Sequence, residues 1–211
     1  MTKTIYFIDD DEVERRSGLD VLREIFASDA LAVEAQPPLP LLQDYATLAD
    51  DPDTAALIVD QRLDTNGIVS YSGIQLAAFL RSISSKLPIV ILTNYPNDDF
   101  GGLGWAVERI FEKTDMLRDP NAELTQKWKA RLIRQIDVFG DIRGVREQRF
   151  HDLLVKSLRE TLSPDEAQEL GLLETERILP VQAKEIGDIK ALETAIDELR
   201  KRIRSDELPL E

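Results

Sequence analysis

Five short runs of consecutive apolar residues punctuate the first half of the chain: Thr4 to Ile8, Leu31 to Val33, Ala55 to Val59, Pro88 to Leu92 and Val107 to Phe111. Residues that are apolar one after another, rather than alternately, suit strands buried on both faces, as when helices cover both sides of a parallel sheet. Between the runs the period lengthens. Val13 to Phe26 sets Leu19, Leu22, Ile25 and Phe26 at helical spacing, and Ile74 to Ile83 does the same with Ile74, Leu76, Ala77, Leu80 and Ile83. Pro37, Pro38 and Pro40 mark a loop, and a short helix is expected near Leu41 to Ala49, stopped by Pro52. After the fourth run, Pro96 and then Gly101, Gly102 and Gly104 interrupt the place of a long helix, so that face should be covered by a loop with a short helix. The pattern predicts an α/β fold, a doubly wound five-stranded parallel sheet.

Beyond Lys113 the character changes. A helical pattern runs from Asn121 to Leu162 through Leu124, Trp128, Leu132, Ile136, Phe139, Phe150, Leu153, Leu154 and Leu158, loosened by Gly140 and Gly144. Ser163, Pro164 and Glu166 then combine an N-cap, a first-position proline and a capping glutamate, which starts a new helix. Pro180 is expected to end it, after which Ile189, Leu192, Ile196, Leu199 and Ile203 recur by three and four as a short heptad seam. The division predicted is a sheet domain over residues 1–120 and an all-helical extension over 121–211. That extension would be a long helix continuous with the last helix of the sheet domain, followed by a helical hairpin. At little more than two heptads the seam favours packing back on the long helix, although it can also join two chains as a homodimer.

Composition narrows the functions. The 211 residues carry 26 Lys and Arg against 40 Asp and Glu, a net charge of −14, with no cysteine. That balance argues against nucleic acid, whose general affinity for proteins comes from Lys and Arg displacing counterions, and against an anionic membrane surface. No apolar stretch approaches the roughly 20 residues that span a bilayer. The chain also runs into its first strand with no signal-peptide pattern, so the cytoplasm is the expected location. Without cysteine there is no disulfide, thiolate zinc site or cysteine nucleophile. Basic residues gather on the long helix, from Lys127 to Arg159; a solvated helix face is the preferred reading over a docking face for an acidic partner.

In an open parallel sheet, ligands bind beyond the carboxyl ends of the strands. Here the first run ends in Asp9, Asp10 and Asp11, the third in Asp60, the fourth in Thr93, and the fifth leads into Lys113. Carboxylates gathered at one point resist ionising together, so a cation is needed, and hard oxygen ligands with room for water suit Mg²⁺. Asp60 would then be the nucleophile toward a phosphoryl group, with Thr93 and Lys113 meeting the charge on its oxygens.

These residues resemble the motifs of response-regulator receiver domains: the acidic pair Asp9 and Asp10, the acceptor Asp60, Thr93 and Lys113, separated by 50, 33 and 20 residues. The resemblance covers about residues 1–118 and implies a flavodoxin-like sheet of order 2-1-3-4-5. It also implies that Asp60 accepts phosphate from a histidine kinase, a phosphotransfer protein or a small phosphodonor. Mg²⁺ would be held by Asp10, Asp60 and the carbonyl of Arg62, with Asp9 acting mostly through water, and output would pass to a downstream protein partner. The chain would be no enzyme beyond its own phosphoryl transfer and dephosphorylation. It departs from the family in Asp64 and Thr114, where prolines are usual, in Ile110 at the switch-aromatic position with Phe111 adjacent, and in Gly73, about five residues late, so that Thr65 to Tyr71 reads as an insertion. Arg62 and Tyr95 lie two residues past the acceptor and the threonine, positions that in the family flank the path of hydrolytic water, and the resemblance implies that a bulky pair there would lengthen the life of the acyl phosphate.

Two rivals compete. The chain also resembles haloacid-dehalogenase phosphatases through Asp9 and Asp11, with Thr93 and Lys113 in later motifs, but this leaves Asp60 idle and lacks a final acidic motif. A pseudo-receiver, a binding module with the fold but without phosphorylation, fits the lost prolines and opposes the intact acids. The single histidine, His151, precedes Asp152 as in the His-acid pair of kinase dimerisation helices; an ordinary half-exposed helix residue is the preferred reading.

Overall fold

The computed structural model describes residues 2–95, 98 and 100–206, with side chains through residue 202. Five parallel strands, β1 (Lys3–Ile8), β2 (Leu31–Gln36), β3 (Thr54–Asp60), β4 (Ile89–Thr93) and β5 (Arg109–Glu112), form one sheet of order β2-β1-β3-β4-β5. This is the order expected for a flavodoxin-like fold. β3 and β4 are buried at every residue, which is why their sequences show no polar alternation.

Side chains still alternate between faces. Ile5, Phe7, Ile58, Val90 and Leu92 meet Leu22, Ile25 and Phe26 together with Trp128, Leu132 and Ile136. These come from α1 (Glu12–Ile25) with its C-cap Phe26, and from α5 (Glu123–Ser157). On the other face Ile8, Leu57, Val59, Ile89 and Ile91 meet α2 (Ala46–Asp50) and α3 (Gly73–Ile83). Asp11 caps α1, its side chain accepting hydrogen bonds from the amides of Val13 and Glu14. Between β4 and β5 the described residues hold one 3-10 turn, Gly104–Ala106, whose Ala106 is fully buried, as the glycines predicted.

The last helix against the sheet and the first helix of the extension are one element. α5 buries Trp128, Leu132, Ile136 and Phe139 in the body and then runs on unbroken through Gly140 and Gly144. At Gly140 a β-carbon would lie 2.6 Å from Lys3 Nζ, the tip of a flexible side chain that can move aside. α6 (Pro164–Asp206) begins where the capping pattern placed it, with Glu166 reaching back to the amide of Ser163.

Two expectations for the extension fail. Pro180 does not end its helix: α6 is a single helix with Pro180 inside it, not a hairpin. Proline removes one intrahelical hydrogen bond, but packing holds both sides, since Leu179 and Ala183 lie against the cluster of Tyr45, Ala46 and Ala49. Gly187 approaches Gln43 so closely that a β-carbon would meet it at 2.7 Å. The heptad seam, in turn, does not fold back: every residue from Asp188 to Arg202 is exposed, and the side chain of Ile203 lies outside the described residues. The basic residues of α5 are likewise not a merely solvated face. Arg146, Arg149 and Lys156 pair with Glu176, Glu169 and Glu166 of α6, which joins the two helices by charge. Among the described residues, no helix is long and apolar enough to cross a membrane.

Candidate functional site

The strand register assembles the site. Ile8 pairs with Val59, so Asp9 and Asp60 are the next residues on adjacent strands. Asp60 pairs with Leu92, one before Thr93, and Thr93 pairs with Glu112, one before Lys113. Asp9 and Asp60 are thus level, the steps to β4 and to β5 each advance the polar group by one residue, and all four arrive at the carboxyl edge. Asp9, Asp60, Thr93 and Lys113 are all buried there.

At the centre is the ammonium of Lys113, which opens α4 (Lys113–Leu117). Its Nζ lies 2.8 Å from Asp60 Oδ1, 2.8 Å from Asp9 Oδ2 and 2.7 Å from Glu14 Oε2. Burial raises the carboxyls of Asp9 and Asp60 above their ordinary proton affinity, and Lys113 opposes the shift. For Lys113, burial works the other way, but the charges of Asp60 and Asp9 outweigh it and push its proton affinity above the usual lysine range. A protonated lysine therefore supplies part of the positive charge that the acids require.

The remaining hydrogen bonds aim the acids. Asp60 Oδ2 accepts from the amide of Arg62 at 2.7 Å, and Asp9 Oδ1 from the amide of Asp11 at 2.9 Å. Gly73, at the start of α3, donates its amide to the carbonyl of Gln61, and Gln61 Oε1 accepts from the amide of Ile74. A β-carbon on Gly73 would meet the carbonyl oxygen of Asp60 at 2.1 Å, so only glycine lets α3 approach this closely. The hydroxyl of Thr93 accepts from the amide of Tyr95 at 3.0 Å.

The insertion from Thr65 to Tyr71 closes one side. The amide of Asn66 donates to Asp10 Oδ2 at 3.1 Å and its side chain to the carbonyl of Asp10 at 3.3 Å. Tyr71 anchors the far end of the loop: its hydroxyl donates to the carbonyl of Leu39 and shares a second hydrogen bond with the hydroxyl of Tyr45. Arg62 crosses the mouth to Tyr95 and Asp98; Pro96, Asn97 and Asp99 of that loop lie outside the described residues.

Sequence reasoning missed Glu14, Asn66 and Asp98. Glu14 lies in the first turn of α1, directly after the strand-end acids, which places it at the same edge; nothing local announces the other two, which arrive through loops. Among the described residues, no three or more Asp, Glu, His or Cys side chains are grouped to hold a metal by themselves. A cation at this edge would have to combine carboxylates with backbone oxygen and water, and the donors present, Asp10, Asp60 and the carbonyl of Arg62, are hard oxygens of that kind. Asp11 is occupied as the α1 cap, and His151 is exposed on α5.

No protein-family model matches the sequence, and no curated protein matches it. Among solved structures the chain is similar in fold to the response regulator TrrA from Thermotoga maritima in complex with Mg²⁺ and BeF, at 17% identity, covering 62% of this chain and 98% of that one, with a TM-score of 0.44. It is similar also to a CheY-like receiver domain protein from Methanospirillum hungatei, at 17% identity over 64% and 97% of the two chains, with a TM-score of 0.46. A third is the complex of the histidine kinase ThkA with TrrA, at 19% identity over 61% and 97%, with a TM-score of 0.44.

Proposed function

We propose that this chain is a two-component response-regulator-like protein that accepts a phosphoryl group on Asp60 and signals through protein–protein contacts. The observation that carries the reading is the pairing of Lys113 Nζ with Asp60 Oδ1 at 2.8 Å at the carboxyl edge of the sheet. A carboxylate buried beside a fixed ammonium has its attacking oxygen held and its charge matched. An Asp60 oxygen would attack phosphorus as the bond to the leaving group, acetate or the imidazole of a kinase or phosphotransfer protein, breaks. Lys113 would then meet one peripheral oxygen of the phosphoryl group and the Thr93 hydroxyl another.

Mg²⁺ fits this chemistry, and Asp10, Asp60 and the carbonyl of Arg62 would hold it, with Asp9 in reach through water. When bound it would neutralise charge on the transferring phosphoryl oxygens. Asn66 positions Asp10 for that role. Under this reading the protein works in the cytoplasm, turns over no other substrate and passes its state to a downstream protein.

The test is mass spectrometry after treatment with acetyl phosphate and Mg²⁺, with Asp60→Asn as the control. One added phosphoryl group, lost in the variant, is the expected result; no addition, or addition at Asp9, would refute it. The contact of Glu14 with Lys113 favours a second reading, a binding module in which lysine is retained by permanent carboxylates and no phosphate is taken up. Capping by Asp11 weighs against the hydrolase, which needs that carboxylate free as its acid.

A further inference from the structure

α6 leaves the body at Gly187, its last buried residue, and continues to Asp206 with every described side chain beyond that point exposed. Helices in proteins draw most of their stability from packing an amphipathic face, and among the described residues this stretch packs on nothing. Along it Ile189, Leu192, Ile196 and Leu199 stand 47–63% exposed on one stripe. Numbered as heptads, the isoleucines fall at a and the leucines at d, with position 203 the next a.

Charge decides what covers the stripe. The e positions hold Glu193 and Arg200, and the g position before the first isoleucine holds Asp188. In a parallel pair, g faces the next e of the partner, so Asp188 would oppose Glu193 twice, and two bodies with 20 acids to 10 bases over residues 1–118 would stand side by side. In an antiparallel pair, a layers meet d layers and e faces e. With Ile196 set against Leu199 of a second copy, Glu193 of each chain faces Arg200 of the other, and the acidic bodies lie at opposite ends. Among the described residues Arg200 pairs with Asp197 of its own helix at 3.4 Å, both side chains about two-thirds exposed, a contact weak enough to exchange.

We propose that residues 189–203 of α6 form an antiparallel two-stranded coiled coil with a second copy of this chain, in a register set by Glu193 against Arg200.

Sedimentation or light scattering of the full chain across a concentration series tests this. The mass is expected to rise from 23.9 kDa toward twice that value. Ile196→Asp, at an exposed position that the fold does not use, is expected to abolish the rise with an unchanged circular-dichroism spectrum. Glu193→Arg alone and Arg200→Glu alone should each weaken association, and an equimolar mixture of the two should restore it, because only the antiparallel register sets position 193 against position 200. A chain monomeric throughout the series overturns the proposal, as does a dimer that Ile196→Asp leaves intact. Single charge variants without effect, or a mixture that fails to recover, overturn the antiparallel register.

Discussion

The guanidinium carbon of Arg62 lies 3.4 Å from the centre of the Tyr95 ring, in the range of a cation–π contact, while two of its nitrogens donate to the two oxygens of Asp98 at 3.0 Å each. The backbone amide of the same residue donates to Asp60 Oδ2. One residue therefore holds the proposed acceptor from below and roofs the site from above. Asp98 keeps the guanidinium charged, and in return its own carboxyl is held below the usual range by the bond from Arg62. If this roof excludes hydrolytic water, the variant carrying Arg62→Ala and Tyr95→Ala should lose its phosphoryl group faster than the parent, on the order of tenfold for ~1.4 kcal/mol of barrier. The decay of the phosphorylated species in time-resolved mass spectra measures this, and equal decay would remove the role.

Asp60→Asn should raise the thermal unfolding temperature near neutral pH. Burial raises the Asp60 carboxyl, so the folded state binds its proton more tightly than the unfolded state does. Such a group contributes stability when protonated, and that contribution disappears as pH rises through the folded value. Asparagine mimics the neutral form at every pH, and Lys113 keeps Asp9 and Glu14 as partners. Calorimetry at neutral pH and at pH 4 should show the advantage of the variant shrinking on acidification.

Lys113→Met is expected to do the opposite. It leaves Asp9 and Asp60 buried without their shared cation, the circumstance in which breaking a buried pair costs about 3–5 kcal/mol. Urea denaturation would register the loss, and adding Mg²⁺ should restore part of it if Asp10 and Asp60 take up the ion. A midpoint within error of the parent would mean that the acids are compensated elsewhere.

Much of this is legible in the amino-acid sequence. The strands were visible because two-sided burial leaves unbroken apolar runs, as in Ala55 to Val59, and the strand-end acids follow from where those runs stop. The helix from Ile74 to Ile83 is legible from its spacing, but the reason glycine precedes it, a 2.1 Å approach to the carbonyl of Asp60, is a property of the packed site. Pro180 misled because local propensity counts the missing hydrogen bond and cannot see Leu179 and Ala183 anchoring both sides. The loop residues Asn66 and Asp98 were invisible for the complementary reason: each reaches the edge through tertiary contacts, the first to Asp10 56 residues away and the second to Arg62 36 residues away.

Gly73→Ala follows from the same approach. The methyl group would meet backbone, which cannot swing aside, so α3 or the end of β3 must shift. Overpacking of this kind costs roughly 1–3 kcal/mol. Because the displaced atom belongs to Asp60, phosphoryl uptake from acetyl phosphate should fall along with the unfolding midpoint. A variant that lost stability while keeping the parental rate of uptake would show that the helix start and the carboxylate are mechanically independent.

The join of α5 to α6 should be sensitive to acid through Glu166. This carboxylate accepts from Lys156 Nζ at 2.7 Å and from the amide of Ser163 at 3.0 Å, and these bonds, the lysine's first, pull its pKa down to about 2. A carboxyl depressed in the folded state contributes stability that is complete above its unfolded value, about 4.3, and is lost as pH falls through the folded one. The amides of the first turn of α6 should therefore exchange with solvent faster below about pH 4, in addition to the ordinary pH dependence of exchange. In Glu166→Gln that extra acceleration should vanish, while protection at neutral pH should already be reduced. Hydrogen exchange resolved to residues 163–170 provides the measurement; identical acid profiles in parent and variant would show that the helix start is held by α5 packing and not by this charge.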